Sequence, residues 1–374
     1  MRKNLLALAV VGLLATTAMT ACEDSDSPSD TSGGAGTTGS GEARVGVILP
    51  DTKSSDRWVN ADAKYLKQAF DSAGVKVEIK NAEGDKENFK RIGSAMVNSG
   101  VKVLIIANLD AESGKAVIDQ AKAKKIPTID YDRLTLNGGA SYYVSFDGEA
   151  VGRQQADALK DCLAARRVVN PIVAELNGSP TDNNATLFKT GYDRVLQPMY
   201  DAALYTKGPD QFVPDWDNKE GTKIFAQMLE QQPGISAVLA ANDGLGNAAI
   251  EVLRKKGLAG KVPVTGQDAT VQGLQNVLSG EQCVTIFKDL KPLAKDAADL
   301  AVKLFKGQQP TTKDRLKDPE SGAYVPFVAR DPVPITIDSI NKVVDAGFVN
   351  TQELCAGKYK QLCRQHGVGG NAAQ

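Results

Sequence analysis

The stretch Asn177-Gly-Ser-Pro-Thr-Asp-Asn-Asn-Ala185 places an acid and a pair of amides behind an apolar run, Pro171-Ile-Val-Ala-Glu-Leu176, and ahead of a segment with apolar residues at helical spacing. Asp182, Asn183 and Asn184 supply acceptors and amide donors there, the chemistry of gripping a small polar molecule. Other apolar runs close in the same way. Arg57 and Trp58 follow the first run, Asp132 and Arg133 end Ile126–Tyr131, and Asn242, Asp268 and Lys288 end three later ones. Taken singly, each is a turn former, a helix cap, a packing residue or a surface ion pair. Their recurrence at one strand end after another is what points to a site.

Several classes of chemistry are disfavoured. The only histidine is His366, close to the C-terminus, so a Ser-His-Asp triad or a His-rich metal site would rest on a tail expected to be mobile. No phosphate loop, metal motif or nucleophile elbow is present, and no cofactor is expected. A formal net charge of -1 offers no footprint for nucleic acid.

The elements that must position these residues alternate regularly. Strands are expected at Arg44–Leu49, Val75–Ile79, Val101–Ala107, Ile126–Tyr131 and Ala140–Phe146, separated by helical patterns. The pattern restarts with a helix over Glu149–Leu163 and strands beginning at Pro171, Ile235, Val262 and Cys283. The residues Gly208–Asn218, which include Trp216, read as irregular, and Gln308–Glu320 as a charged excursion. Repeated βα units imply parallel sheets covered by helices on both faces. At 374 residues, two such α/β lobes with a cleft between them are expected. Crossings near Phe146, Asp289 and Tyr324 would divide the chain into a first lobe of 44–147 plus 290–323 and a second of 148–289 plus 324–354, with a tail at 355–374.

Residues 1–21 have the basic, apolar and small-residue zones of a secretory signal. The residues before Cys22 resemble a bacterial lipobox, which implies cleavage there and lipid on the Cys22 thiol; an ordinary cleaved signal is the alternative. Residues 22–43 are rich in Ser, Thr, Gly and Asp and read as a flexible tether. Four other cysteines remain in an exported chain, where disulfides form. Proximity favours Cys355 with Cys363, leaving Cys162 with Cys283, although four cysteines admit three pairings.

Seven motifs in order, Lys53-Ser-Ser-Asp-Arg-Trp58, Tyr131-Asp-Arg-Leu134, Ser145-Phe-Asp147, Gly178-Ser-Pro-Thr-Asp-Asn-Asn-Ala185, Asn242-Asp243, Gly266-Gln-Asp-Ala269 and Phe287-Lys-Asp289, resemble those of the periplasmic sugar-binding proteins of ABC importers. The resemblance is to the D-xylose-binding and multiple-monosaccharide-binding group and covers about 44–349. It implies a type I periplasmic binding protein, with two doubly wound parallel-sheet lobes joined by a three-crossing hinge. Arg57, Asp132 and Arg133 would reach the ligand from the first lobe, and Asp182, Asn184, Asn242 and Asp268 from the second. Lys288 would lie at the hinge, with Trp58 and Trp216 bordering the sugar. The implied partners are a monosaccharide such as xylose, an ABC permease and, through the lipid alone, a membrane. The protein would be an extracytoplasmic monomer and not an enzyme. The rivals are a sugar sensor feeding a chemoreceptor or histidine kinase, a sugar-responsive repressor, and a carbohydrate-active enzyme using Asp132 or Asp268.

Overall fold

Alternation within β1 (Val45–Leu49) explains the layering of the first lobe. Val45, Val47 and Leu49 pack with Leu66, Phe70, Leu293 and Ala297 on one face, while Ile48 packs with Phe89, Met96 and Val117 on the other. The structure, a computed structural model, describes residues 44–370; the signal and lipidation expectations at 1–43 lie outside them. β2 (Val77–Asn81), β3 (Val103–Ile106), β4 (Thr128–Tyr131) and β5 (Tyr142–Phe146) join β1 in a parallel array. The intervening helices are α1 (Ala63–Ser72), α2 (Lys86–Asn98) and α3 (Ala111–Ala123).

The second lobe opens with α4 (Gly148–Ala165) and continues through β6 (Ile172–Asn177), α5 (Asn183–Asp201), β7 (Thr206–Phe212), α6 (Asn218–Gln231), β8 (Ile235–Ala240) and α7 (Asp243–Lys255). β9 (Thr265–Gln267), α8 (Val271–Leu278) and β10 (Val284–Phe287) follow. A parallel bridge between Val238 and Val264 joins the β7-β6-β8 set to the set containing β9 and β10. α4 and α5 cross backbone to backbone: a Cβ on Gly152 would lie 1.9 Å from the Phe188 carbonyl oxygen, and one on Gly191 2.2 Å from that of Glu149.

After β10 the chain returns to the first lobe as α9 (Leu290–Phe305), which packs its apolar stripe against α1 and the sheet. β11 (Asp314–Lys317) and β12 (Tyr324–Arg330) then complete a seven-stranded sheet in the order β11-β12-β5-β4-β3-β1-β2. This corrects the expected boundary. Phe327 to Arg330 pair in parallel with Tyr143 to Phe146, so β12 belongs to the first lobe, and the last crossing lies between Arg330 and Val333. β13 (Val333–Ile335) then pairs antiparallel with β10. The first and last crossings are tied by the Asp147 N–H donating to the Arg330 carbonyl at 3.1 Å.

Two other expectations change. The supposedly irregular segment before Trp216 contains β7, an edge strand, where Gly208 and Pro209 are tolerated because one side of the ladder is unpaired. The C-terminal segment is packed rather than loose as far as Gly370. α10 (Asn341–Asp345), α11 (Thr351–Leu354) and α12 (Tyr359–Gln365) bring buried Cys363 and Val368 against Leu274, Leu278 and Val343. Cys355 is bonded to Cys363 and Cys162 to Cys283, with Cα separations of 5.8 and 6.4 Å.

Candidate functional site

In the first lobe the loop after β1 is shaped by Asp51. Its Oδ1 accepts the Lys53 and Ser54 N–H groups at 2.8 and 2.6 Å, and its Oδ2 accepts the Ser54 hydroxyl at 2.7 Å. The chain then enters α1 through a wide turn, Trp58–Asp62, that buries Trp58 and Asp62. Arg57 forks onto Asp62, Nε to Oδ2 at 2.8 Å and Nη2 to Oδ1 at 2.9 Å, leaving Nη1 to donate to Asp132 Oδ2 at 2.6 Å. The Tyr131 hydroxyl adds a 2.6 Å bond to Asp62 Oδ1. Asp132 turns the chain at the end of β4 with φ 64°, and its carbonyl accepts from the Tyr143 and Ser145 hydroxyls at 2.9 and 2.8 Å.

The second lobe presents its residues from strand ends and helix starts, so capping and site roles coincide. Asp182 caps α5 by accepting the Asn184 N–H at 2.9 Å, and Asn242 caps α7 by accepting that of Leu245 at 2.8 Å. The other Asp182 oxygen accepts the Trp216 indole N–H at 3.0 Å. Trp216 fits there because Gly178 lies beneath its ring, where a Cβ would sit 2.0 Å from the indole. Asp268 follows β9 with φ 98°, a conformation that non-glycine residues avoid and that costs of order 1–3 kcal/mol.

The lobes close on one another through these groups. Arg133 Nε lies 3.1 Å from Asp182 Oδ2, and Asn184 Nδ2 donates to the Asp132 carbonyl and carboxylate at 3.0 and 3.2 Å. The Ser55 hydroxyl donates to Asp268 Oδ2 at 2.9 Å, and Asn242 Nδ2 reaches the Ser54 carbonyl at 3.5 Å. Lys288, on the crossing after β10, stands between Asp132 Oδ2 at 3.5 Å and Asp268 Oδ1 at 3.3 Å. Burial alone would raise the Asp132 carboxyl, but Arg57, Lys288 and Arg133 outweigh it and hold it well below the usual carboxylate range. Burial likewise works against the Arg57 charge, which Asp132 and Asp62 restore and reinforce.

All ten residues singled out in the sequence, Arg57, Trp58, Asp132, Arg133, Asp182, Asn184, Trp216, Asn242, Asp268 and Lys288, line one cavity and are at least nine-tenths buried. A lining drawn from both lobes suits a small molecule held from both sides. Asn183 is buried at the start of α5 but does not line the cavity. Ser54, Ser55, Phe188 and Gln267 do line it and escaped the sequence reading. The two serines stood inside a quoted motif, whereas Phe188 has the helical spacing of an ordinary core residue. Asp62, also missed, is the anchor behind Arg57.

The cavity combines flat apolar walls with a charged rim. The Arg57 guanidinium lies 4.3 Å from the Trp58 ring centroid, and Phe188 meets Trp216 edge to face at 6.4 Å. Gln267 Oε1 is buried without a hydrogen-bond partner, and Asp268 Oδ1 has only the Lys288 ammonium beside it. A buried acceptor without a partner is costly unless a ligand donates to it. Among the described residues no group of His, Cys, Asp and Glu could hold a metal ion.

Comparison with known proteins matches this architecture. Residues 45–309 fit the model of the periplasmic binding protein domain. The chain is 34% identical over 319 residues to the D-xylose-binding periplasmic protein of Escherichia coli (strain K12), covering 84% of this chain and 93% of that one. It is 32% identical to the multiple sugar-binding periplasmic receptor of Rhizobium radiobacter, covering 83% and 92%. Among solved structures, the carbohydrate transporter solute-binding protein of Chloroflexus aurantiacus in complex with D-glucose aligns with a TM-score of 0.76 at 28% identity, over 83% of this chain and 98% of that one. With a family model matched over most of its length and two lobes closing on one polar cavity, this chain belongs to the periplasmic binding protein family.

Proposed function

We propose that the protein is the extracytoplasmic receptor of an ABC importer, taking up a single aldose, xylose or a sugar of similar shape, and handing it to the permease. It binds without transforming its ligand, as expected of its family. The carrying observation is the convergence of the ten residues from both lobes on one cavity in which the Gln267 amide oxygen has no partner. A pyranose offers hydroxyls around its rim and C–H groups on its faces. Asp268, Asp132, Asn184 and Asn242 meet the first with acceptors and amides, Arg57, Arg133 and Lys288 with donors, and Trp58 and Trp216 cover the second.

Closure follows from the same groups. In an open form Arg133 and Asp182, or Asp132 and Asn184, are separated and solvated. In the closed form they are buried and paired, and a sugar favours closure only by its greater affinity for that form. The likeness to a D-xylose-binding protein, a multiple sugar-binding receptor and a solute-binding protein in complex with D-glucose supports an aldose. We assign the 22–43 segment as the tether of a lipid on Cys22, on the lipobox-like residues before it. Calorimetry with xylose, glucose, galactose, arabinose and ribose tests the reading: at least one binds stoichiometrically, and silence with all five would refute it.

A further inference from the structure

Two buried carboxyls stand outside the cavity, one in each lobe: Asp130 within β4 and Asp243 at the start of α7. In the first, Asp130 Oδ2 accepts the Thr135 N–H at 2.7 Å and Oδ1 the Thr135 hydroxyl at 2.8 Å. Asn108 adds bonds to the same hydroxyl and to the Arg133 carbonyl, at 2.9 and 3.2 Å. The segment so closed begins with Asp132, held at φ 64°, and Arg133. In the second lobe, Asp243 Oδ2 accepts the Thr270 N–H at 2.8 Å and its hydroxyl at 3.0 Å, while Oδ1 accepts Gln282 Nε2 at 2.8 Å. The segment closed here contains Asp268 and Ala269, at φ 98° and 51°.

Each carboxyl is fully buried, and neither forms an ion pair with a cation among the described residues. The charged groups around Asp130 are Lys122 and Asp318; Lys122 Nζ is committed to the Gly138 carbonyl at 2.7 Å. The charged group that faces Asp243 is Asp268 itself. Burial pushes both carboxyls up to about 7. Space around Asp243 is shaped for it: a Cβ on Gly266 would fall 2.2 Å from Oδ1 and one on Gly273 2.1 Å from Oδ2. A buried acid without a cation is costly. What each secures is the backbone and hydroxyl of a threonine that holds a left-handed turn in place.

We propose that Asp130 and Asp243 are the positioning residues of the site, each clamping through a threonine the strained turn that presents a cavity carboxylate, Asp132 in the first lobe and Asp268 in the second. The clamps act in different lobes, and the carboxylates they present meet only through the shared Lys288. The proposal rests on the sugar-binding reading for its affinity readout alone.

The test uses the full-length protein, titrated with D-xylose and D-glucose, and the variants Asp243→Asn and Asp130→Asn, singly and combined with Asp268→Asn or Asp132→Asn. Asp243→Asn is expected to weaken binding about tenfold, the scale of losing a buried hydrogen bond and leaving its partner unsatisfied. It adds little once Asp268 is already changed, because residues acting through one contact couple, and keeps most of its factor beside Asp132→Asn, which is coupled to Asp268 only through their shared Lys288. Asp130→Asn gives the mirror pattern. Equal losses on both backgrounds, or unchanged affinity with only a lower melting temperature, would overturn the assignment. Should neither sugar bind, the functional reading fails first. Amide exchange of the free protein then decides: Thr135 and Thr270 are slow in the parent and each fast in its own Asn variant, whereas fast exchange in the parent sinks the clamps.

Discussion

Arg133 Nε of the first lobe stands 3.1 Å from Asp182 Oδ2 of the second, and that same oxygen accepts the Trp216 indole N–H at 3.0 Å. One carboxylate therefore joins a cation on the opposite wall to an aromatic wall of its own lobe. Arg133→Ala strands Asp182 in a buried position, a loss of about 2–5 kcal/mol for a desolvated charge pair. The expected result is sugar affinity lower by an order of magnitude or more, with a larger radius of gyration in X-ray scattering at a sugar concentration that closes the parent. An unchanged radius would show that this contact does not hold the closed form.

Gln267 separates binding from stability. Its Oε1 is buried with no partner, so Gln267→Leu removes an unsatisfied acceptor from the folded protein while deleting a group available to a sugar hydroxyl. The variant is expected to melt at the same temperature as the parent or higher, and to bind sugar more weakly by about 1–3 kcal/mol. Calorimetry beside thermal unfolding reads both; equal affinity would remove Gln267 from the contact set.

Gly178→Ala tests the seat of Trp216. The added methyl would lie 2.0 Å from the indole, so the ring must leave its place against Asp182 and Phe188. Tryptophan fluorescence should shift and sugar affinity should fall. A spectrum identical to the parent would mean that the loop, rather than the ring, gives way.

The carboxyls predict opposite pH trends. Asp132 is held below its unfolded value, so the stability it contributes is present above about pH 4 and lost as acid protonates it. Asp130 and Asp243 are raised to about 7, so between about pH 4 and 7 the folded protein binds more protons than the unfolded chain, and they make it less stable as pH rises through that window. Melting temperatures from pH 4.5 to 8, a range of about those limits, should fall less with rising pH in Asp243→Asn than in the parent. Parallel curves would place that acid outside the titration.

Much of the fold was legible because buried parallel strands are nearly continuous apolar runs and each βα turn is marked by polar residues. The strand Tyr324–Arg330 shows the limit of that reading. Its Val325 and Phe327 identify a half-buried strand, but periodicity carries no record of which sheet receives it, and pairing with Tyr143 to Phe146 puts it in the first lobe. Thr206–Phe212 was hidden for another reason: glycine and proline argue against an interior strand but are compatible with an edge. Phe188 looked like core because a helical apolar position has the same signature whether it faces packed side chains or a cavity.

By itself, the order of residues determined that two α/β halves would form and which polar groups would stand at the strand ends, since local periodicity and turn chemistry act over a few neighbouring positions. Only the tertiary structure decided that Arg133 meets Asp182, that Lys288 falls between Asp132 and Asp268, and that Asp130 and Asp243 lie beneath the turns they hold. Those pairings join groups distant along the chain, and their geometry depends on how the sheets twist and how closely the lobes approach, quantities that no short window of sequence encodes.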